Sequence, residues 1–363
     1  LKKKLGIIFL IFIVIFTILG CKKDNKEKVT NDFKKGEVLF NQEAGLAVLT
    51  NFMDCLKNNN FNGAKELCKD ELYVDNLHKT DDELLEYKIV YSNLLGNDMK
   101  VEVMVDRSKT NKPMADLDLM KITISRLDDE TYKISKIESR IIGEVFESDK
   151  KLKVSTYGNL ETKTLIDLKN IPRDMYLDNK IFEISKLAIP SKEFGVVNFS
   201  LSANKVAIST YDDSYYFVGI VNLNESIQTA AGEASGEKGQ NKKDKEKKDD
   251  DKKIGDKITP LDVYKDKVVK GLNFLEQDLY LIVSFKESEK GDGIKIYDIA
   301  KGKEVDADLE NIFPRDKYNV NFVQKEDYNF VLEVTGIEGA QGLRQSVTGK
   351  YLLDLKRLKV SKI

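Results

Sequence analysis

Tryptophan is absent from the 363 residues, histidine occurs once, cysteine three times and proline five times. The single histidine, His78, falls in a loop between Asp75-Asn76 and Asp81-Asp82. Neither a catalytic triad nor a multi-histidine metal site is expected from it. Without tryptophan, an aromatic-lined sugar-cleaving cleft is disfavoured, although carboxylates abound. Charge of one sign is also missing. Lys and Arg total 59 against 61 Asp and Glu, a net charge of −2, so charge offers no footprint for nucleic acid. Gly336, Gly339 and Gly342 lack the spacing of a phosphate-cradling loop. Asp116 and Asp118, and the run Asp249-Asp250-Asp251, lack the spacing of a calcium loop and read as solvated carboxylates. No cofactor or metal is expected. Long hydrophobic runs are lacking too: the longest, Leu5–Leu19, is shorter than the ~20 residues a spanning helix needs.

That short run is informative through its flanks. Lys2, Lys3 and Lys4 precede it, and Gly20-Cys21-Lys22-Lys23 follow. A basic segment, an apolar stretch and a small residue before a cut site form the pattern of a secretory signal. With cysteine directly after the cut, residues 1–20 resemble a bacterial lipoprotein signal peptide. The resemblance implies that Cys21 is lipidated and becomes the mature N-terminus, anchoring the protein outside the cytoplasm on the bacterial cell membrane. Acyl chains contribute about 0.8 kcal/mol per buried methylene, so two or more on one residue anchor stably. Residues 21–43 are polar and lysine-rich and read as a tether.

Beyond the tether, Leu46, Leu49, Phe52, Met53 and Leu56 recur at helical spacing, and Asn58-Asn59-Asn60 ends the pattern. A second short helix is expected, with Phe61, Ala64, Leu67 and Cys68 inward. From Tyr87 the period changes to two. Val101, Val103 and Val105 alternate with polar residues, as do Leu119, Ile122 and Ile124, and then Tyr132, Ile134 and Ile137. Asp128-Asp129-Glu130 reads as a hairpin turn. Two helices followed by about four antiparallel strands give an α+β domain over residues 44–142. The helix–turn–helix run Asn51–Lys65 and the closing strand Thr131–Ile137 resemble the cone-shaped fold of the nuclear-transport-factor-2-like superfamily.

The second half repeats itself. Phe146, Phe199, Phe274 and Phe322 each open a similar stretch, the last three preceded by Asn198, Asn273 and Asn321. An apolar strand follows each, for example Val206–Ser209 and Leu281–Ser284. A further strand then ends in an apolar pair, Asp or Asn, and an aliphatic residue, as in Leu165-Ile166-Asp167-Leu168 and Ile296-Tyr297-Asp298-Ile299. The period is about 50 residues once a charged insertion at about 228–257 is removed, the length of a β-propeller blade. From Glu233 to Lys257 the insertion holds nine Lys against eight Asp and Glu, with few apolar residues, and is expected to be disordered. Residues 143–363 are therefore read as an all-β domain of four blade-like repeats, resembling WD-repeat-type or quinoprotein-type blades. The alternative is a β-sandwich of similar spacing. The recurring Asp at a strand end is expected to bond turn amides.

One loop motif occurs twice, Pro172-Arg173-Asp174 with Tyr176 and Pro314-Arg315-Asp316 with Tyr318. Arg173, Tyr176, Arg315 and Tyr318 are the candidate interaction residues, because Arg and Tyr anchor interfaces. The competing reading is a Pro-initiated turn with an Arg–Asp pair, Arg173 with Asp174 and Arg315 with Asp316, bracing adjacent blades. Cys55 and Cys68 either pair in an oxidising envelope or remain buried thiols. The function expected is a binding or scaffolding module with an envelope protein partner, not an enzyme. The alternatives are an enzyme or small-ligand binder using the cone cavity, and a solute-binding lipoprotein.

Overall fold

The computed structural model describes residues 40–69, 82–128, 130–158, 162–178, 184–224, 227, 253–275, 278–326 and 329–363. The signal segment with Cys21, most of the tether, His78 and residues 228–252 of the charged insertion lie outside the described residues. Among the described residues no helix is long and apolar enough to cross a membrane.

Helix α1 (Gln42–Lys57) starts where Asn41 accepts hydrogen bonds from the Glu43 and Ala44 amides, and Asn58 caps its other end. The fold therefore begins inside the expected tether, with Phe40 already buried. Asn59 adopts a left-handed φ of 55°, and Asn60 caps α2 (Phe61–Glu66) through the Gly63 amide. The asparagine run thus makes one short turn and serves both helices.

The first sheet is an antiparallel meander of six strands, β1 (Glu83–Leu95), β2 (Asp98–Ser108), β3 (Met114–Arg126), β4 (Tyr132–Ser148), β5 (Lys151–Thr156) and β6 (Lys163–Asp167). Leu49, Phe52, Met53 and Leu56 of α1 pack against Met99, Val101, Val103, Met120, Ile122 and Ile134 on one face of it. The position 142/143, where the repeats suggested a domain boundary, falls within β4. This strand pairs with β3 from Tyr132 to Phe146, and a β-bulge at Ile142 is the one irregularity at the position, so the strand continues through it. The first repeat copy, with Phe146 on β4 and Asp167 ending β6, therefore completes the first sheet instead of forming a separate one.

A hairpin of β7 (Asp174–Asp178) and β8 (Ile184–Ala188) leads to three four-stranded meanders. The second sheet holds β9 (Glu193–Phe199), β10 (Lys205–Tyr211), β11 (Tyr215–Leu223) and β12 (Gly255–Lys265). The third holds β13 (Lys267–Leu275), β14 (Tyr280–Glu287), β15 (Asp292–Asp298) and β16 (Lys303–Glu304). Helix α3 (Leu309–Ile312) connects to the fourth, β17 (Tyr318–Glu326), β18 (Asn329–Gly336), β19 (Gly349–Asp354) and β20 (Lys359–Lys362). Each Asn-Phe pair lies on the first strand of its sheet, and each apolar-pair motif ends on the third or just past it. Separate cores join first to second sheet, second to third and third to fourth. Asp167, Asp298 and Asp354 each accept a turn amide two or three residues on, as the recurrence predicts.

The first and second sheets also join at their edges. Lys253 bridges Thr164 in parallel, and the Ile254 amide donates to the Thr164 carbonyl. Residues 253–257, expected to belong to the insertion, are ordered by this seam. Gly255 has no room for a side chain, because a Cβ would lie 2.1 Å from the Leu165 carbonyl oxygen. Gly255→Ala is expected to lower unfolding free energy by about 2 kcal/mol or more. Gly271→Ala, whose Cβ meets nothing closer than 3.8 Å, serves as the control and should show no comparable loss in the same denaturant titration.

Candidate functional site

Strand β9 touches β2, β3, β4, β10 and β13. Near its C-terminal end Asn198 is buried, and its side-chain amide donates to Asp106 Oδ2 at 2.8 Å and to the Leu272 carbonyl at 2.8 Å. Ser108 Oγ donates to the Val197 carbonyl, also at 2.8 Å. One side chain thus links β2, β9 and β13, on three different sheets. Burial raises the Asp106 carboxyl well above the usual range, against the lowering effect of the Asn198 bond.

On the far side of Ser108 and Leu272 lies a cleft of about 480 Å³. The end of α1 (Lys57, Asn58, Asn59), the start of β1 (Glu83) and the end of β2 form one wall. Strands β13 and β17, the first of their sheets, supply Asn273, Asn321 and Phe322 to the other, with Ser284 and Glu333 also in the lining. Lys57 reaches across, its ammonium 5.6 Å from the Phe322 ring centroid. Asn273 and Asn321 hold the repeat position that Asn198 holds on β9. Asn198 is consumed internally, whereas its two counterparts are half-buried and face the cleft. The two Lys cations, Lys57 and Lys270, balance Glu83 and Glu333, so amide and hydroxyl groups dominate the recognition chemistry.

The two copies of the Pro-Arg-Asp motif have diverged. Arg315 and Tyr318 are buried, at 6% and 2% exposure. Arg315 donates to Glu310 through Nε at 2.8 Å, pairs with Glu287 through Nη2 at 2.9 Å and lies over the Phe285 ring. The Tyr318 hydroxyl accepts from the Arg344 amide at 3.0 Å. These two residues brace the joint between third and fourth sheets, with Glu287 and Glu310 in place of the expected Asp316 partner. Both side chains are buried, and Arg315 Nη1 has no hydrogen-bond partner among the described residues. Arg315 lines a second cavity of about 260 Å³ there, with Lys267 and Lys295. Arg173 and Tyr176 are exposed beside the first hairpin, Tyr176 at 66%. The first copy is a surface feature and lines neither cavity.

Asp116 and Asp118 are buried instead of solvated. They share the helix-covered face of the first sheet with Arg107, whose Nε donates to Asp118 Oδ2 at 3.0 Å. Burial, together with a hydrogen bond to Asp82 and the charge of that carboxyl, raises the pKa of Asp116 to about 7. Lys109 holds Asp82 at 2.8 Å. Asp116 lines neither cavity. Among the described residues no group of three or more His, Cys, Asp or Glu is placed to hold a metal ion. Cys55 and Cys68 are free thiols, and burial pushes Cys68 up to about 11.

No protein-family model and no curated protein matches the chain. Solved structures similar to it include puromycin hydrolase and a mutant of that enzyme complexed with PGG. Each is 7% identical with a TM-score of 0.29, over 75% of this chain and 46% of the other. The chain thus spans less than half the length of those structures, and a likeness of that strength carries no argument about activity.

Asp116 yields a pH prediction. Its folded pKa of about 7 lies above the ordinary 3.8, so the folded state holds this proton more tightly than the unfolded chain. The group favours folding at low pH, and that contribution is lost as pH rises from about 4 to 7. Asp116→Asn should remove this slope and raise unfolding free energy at pH 8 relative to the parent. Denaturant titrations at pH 4.5, 6 and 8 would check it.

Proposed function

We propose that this protein is a lipid-anchored binding module of the bacterial cell envelope. Cys21 tethers it to the outer face of the membrane, and the cleft beneath α1 receives a polar segment of an envelope protein partner. The observation that carries the binding reading is the pair Asn273 and Asn321. Their amides line a cleft and have no hydrogen-bond partner among the described residues, whereas the side-chain nitrogen of their equivalent, Asn198, donates twice within the fold. Half-buried amides favour a partner that supplies donors and acceptors, such as peptide backbone. Within this proposal the helices and first strands form a cone-type unit. The three four-stranded meanders, together with the copy merged into the first sheet, form an arc of blade-type units.

A small-ligand reading is favoured by one observation, the cleft volume of about 480 Å³, which falls within the usual range for small-molecule sites. Crosslinking on intact cells, followed by capture of the tagged protein, separates the two. The protein-partner reading expects a reproducible envelope protein with the parent chain and its loss in Asn321→Trp, which fills the cleft. Recovery of the chain alone, at good crosslinking yield, contradicts that reading and supports the small ligand.

The anchor is tested separately. Cys21→Ala should move the protein from the membrane fraction to the soluble fraction, as read by fractionation and immunoblotting. Unchanged membrane retention would overturn the lipoprotein reading.

A further inference from the structure

Charged side chains line the cavity of about 260 Å³ between the third and fourth sheets, and some of them answer one another. Lys295 donates to Glu304 at 2.8 Å and to Asp262 at 3.0 Å, and Glu310 accepts from Arg315 Nε at 2.8 Å. Two cations keep donors to spare. The Arg315 side chain is 6% exposed and places Nε and Nη2 on Glu310 and Glu287, while Nη1 is buried with no hydrogen-bond partner among the described residues. A buried donor in that state is costly, and a charged one more so. Lys267 lies 5.0 Å from the centroid of the Phe285 ring, which Arg315 also covers at 4.9 Å. Its ion pair with Glu287 is 3.9 Å long, beyond hydrogen-bond reach, and Glu287 is already held by Arg315 and Lys290. Burial, with the like charges of Arg315 and Lys295, lowers the Lys267 pKa.

Two carboxylates of the same lining keep acceptors to spare. Asp306 and Asp308 stand between β16 and α3 and are exposed. Asp306 Oδ1 accepts the Asp308 amide, and Asp308 Oδ1 accepts the Asn311 side chain. Among the described residues neither carboxylate pairs with a cation. The unanswered groups of the cavity are thus two cations, buried or half-buried, and two exposed carboxylates. Their complement is one molecule with a carboxylate and an ammonium.

We propose that this cavity binds a small zwitterion of the free amino-acid class, its carboxylate facing Lys267 and Arg315 and its ammonium facing Asp306 and Asp308. The volume is below the roughly 300 Å³ at which pockets for drug-sized ligands begin, so the ligand is small. The two exposed carboxylates repel a dianion such as phosphate. No residue lines both this cavity and the cleft beneath α1, so the site stands or falls apart from the proposed binding partner.

Isothermal titration calorimetry of the full-length chain with glycine, L-alanine and L-serine tests the site, with acetate, methylamine and inorganic phosphate as comparison probes. At least one of the three amino acids should bind with a Kd of about 1 mM or tighter, and each comparison probe about tenfold or more weakly. Lys267→Gln should weaken that binding about tenfold or more, as should Asp306→Asn combined with Asp308→Asn. Both variants should keep the parent's melting temperature without ligand. Arg315 is left in place because it also clamps Glu287 and Glu310. Absence of binding by all three amino acids overturns the proposal. So does binding that survives unchanged in Lys267→Gln, or acetate or phosphate binding as tightly as the amino acids.

Discussion

The side chain of Asn198 hydrogen-bonds two sheets other than its own. From strand β9 it donates to the buried Asp106 carboxyl on β2 and to the Leu272 carbonyl on β13. The surrounding cores are apolar and non-directional. Phe199, Val206 and Ile208 would pack against the first sheet in several relative positions. A buried amide does not tolerate that freedom, because each unmade bond strands a polar group away from water at a cost of about 1–3 kcal/mol. Asn198 therefore fixes how the helix-covered first sheet sits against the meanders. The edge seam at Thr164, Lys253 and Gly255 fixes the same relationship from the other side.

The cleft follows from that arrangement. Once β2, β9 and β13 are locked together, the end of α1 is carried to the first strands of the third and fourth sheets. Lys57 meets the Phe322 ring there. The two later asparagines occupy the repeat position of Asn198 but find no Asp106 opposite them. Their amides line a space instead of closing a joint. One repeated residue thus has two outcomes, a structural key on the second sheet and recognition groups on the next two. The arginines of the other motif differ in the same way: Arg173 is exposed, whereas Arg315 is a clamp between sheets, gripped by Glu287 and Glu310.

Much of the fold was legible in the residues. The asparagines at 58–60 marked the helix turn, the change of period at Tyr87 marked the first strands, and the strand-end aspartates marked turns whose amides they bond. The recurrence of Asn before Phe was visible too, and it pointed to the inner strands that line the cleft. The boundary read at 142/143 falls within a single strand, β4, because periodicity records the alternation within a strand, not which neighbours it pairs with. Strand β4 is long enough to belong to both patterns. The burial of Asp116, Asp118, Arg315 and Tyr318 was hidden for a related reason. A charged side chain reads as solvated until its partners are known, and those partners come from distant elements: Asp82 for Asp116, and Glu287 for Arg315.

The most direct measurement compares the unfolding free energies of Asn198→Ala, Asn273→Ala and Asn321→Ala in one denaturant series. If Asn198 keys the sheets while its counterparts serve the cleft, Asn198→Ala loses about 2–4 kcal/mol and the other two lose less than about 0.5 kcal/mol. Equal losses at all three positions, or a neutral Asn198→Ala, would contradict the account.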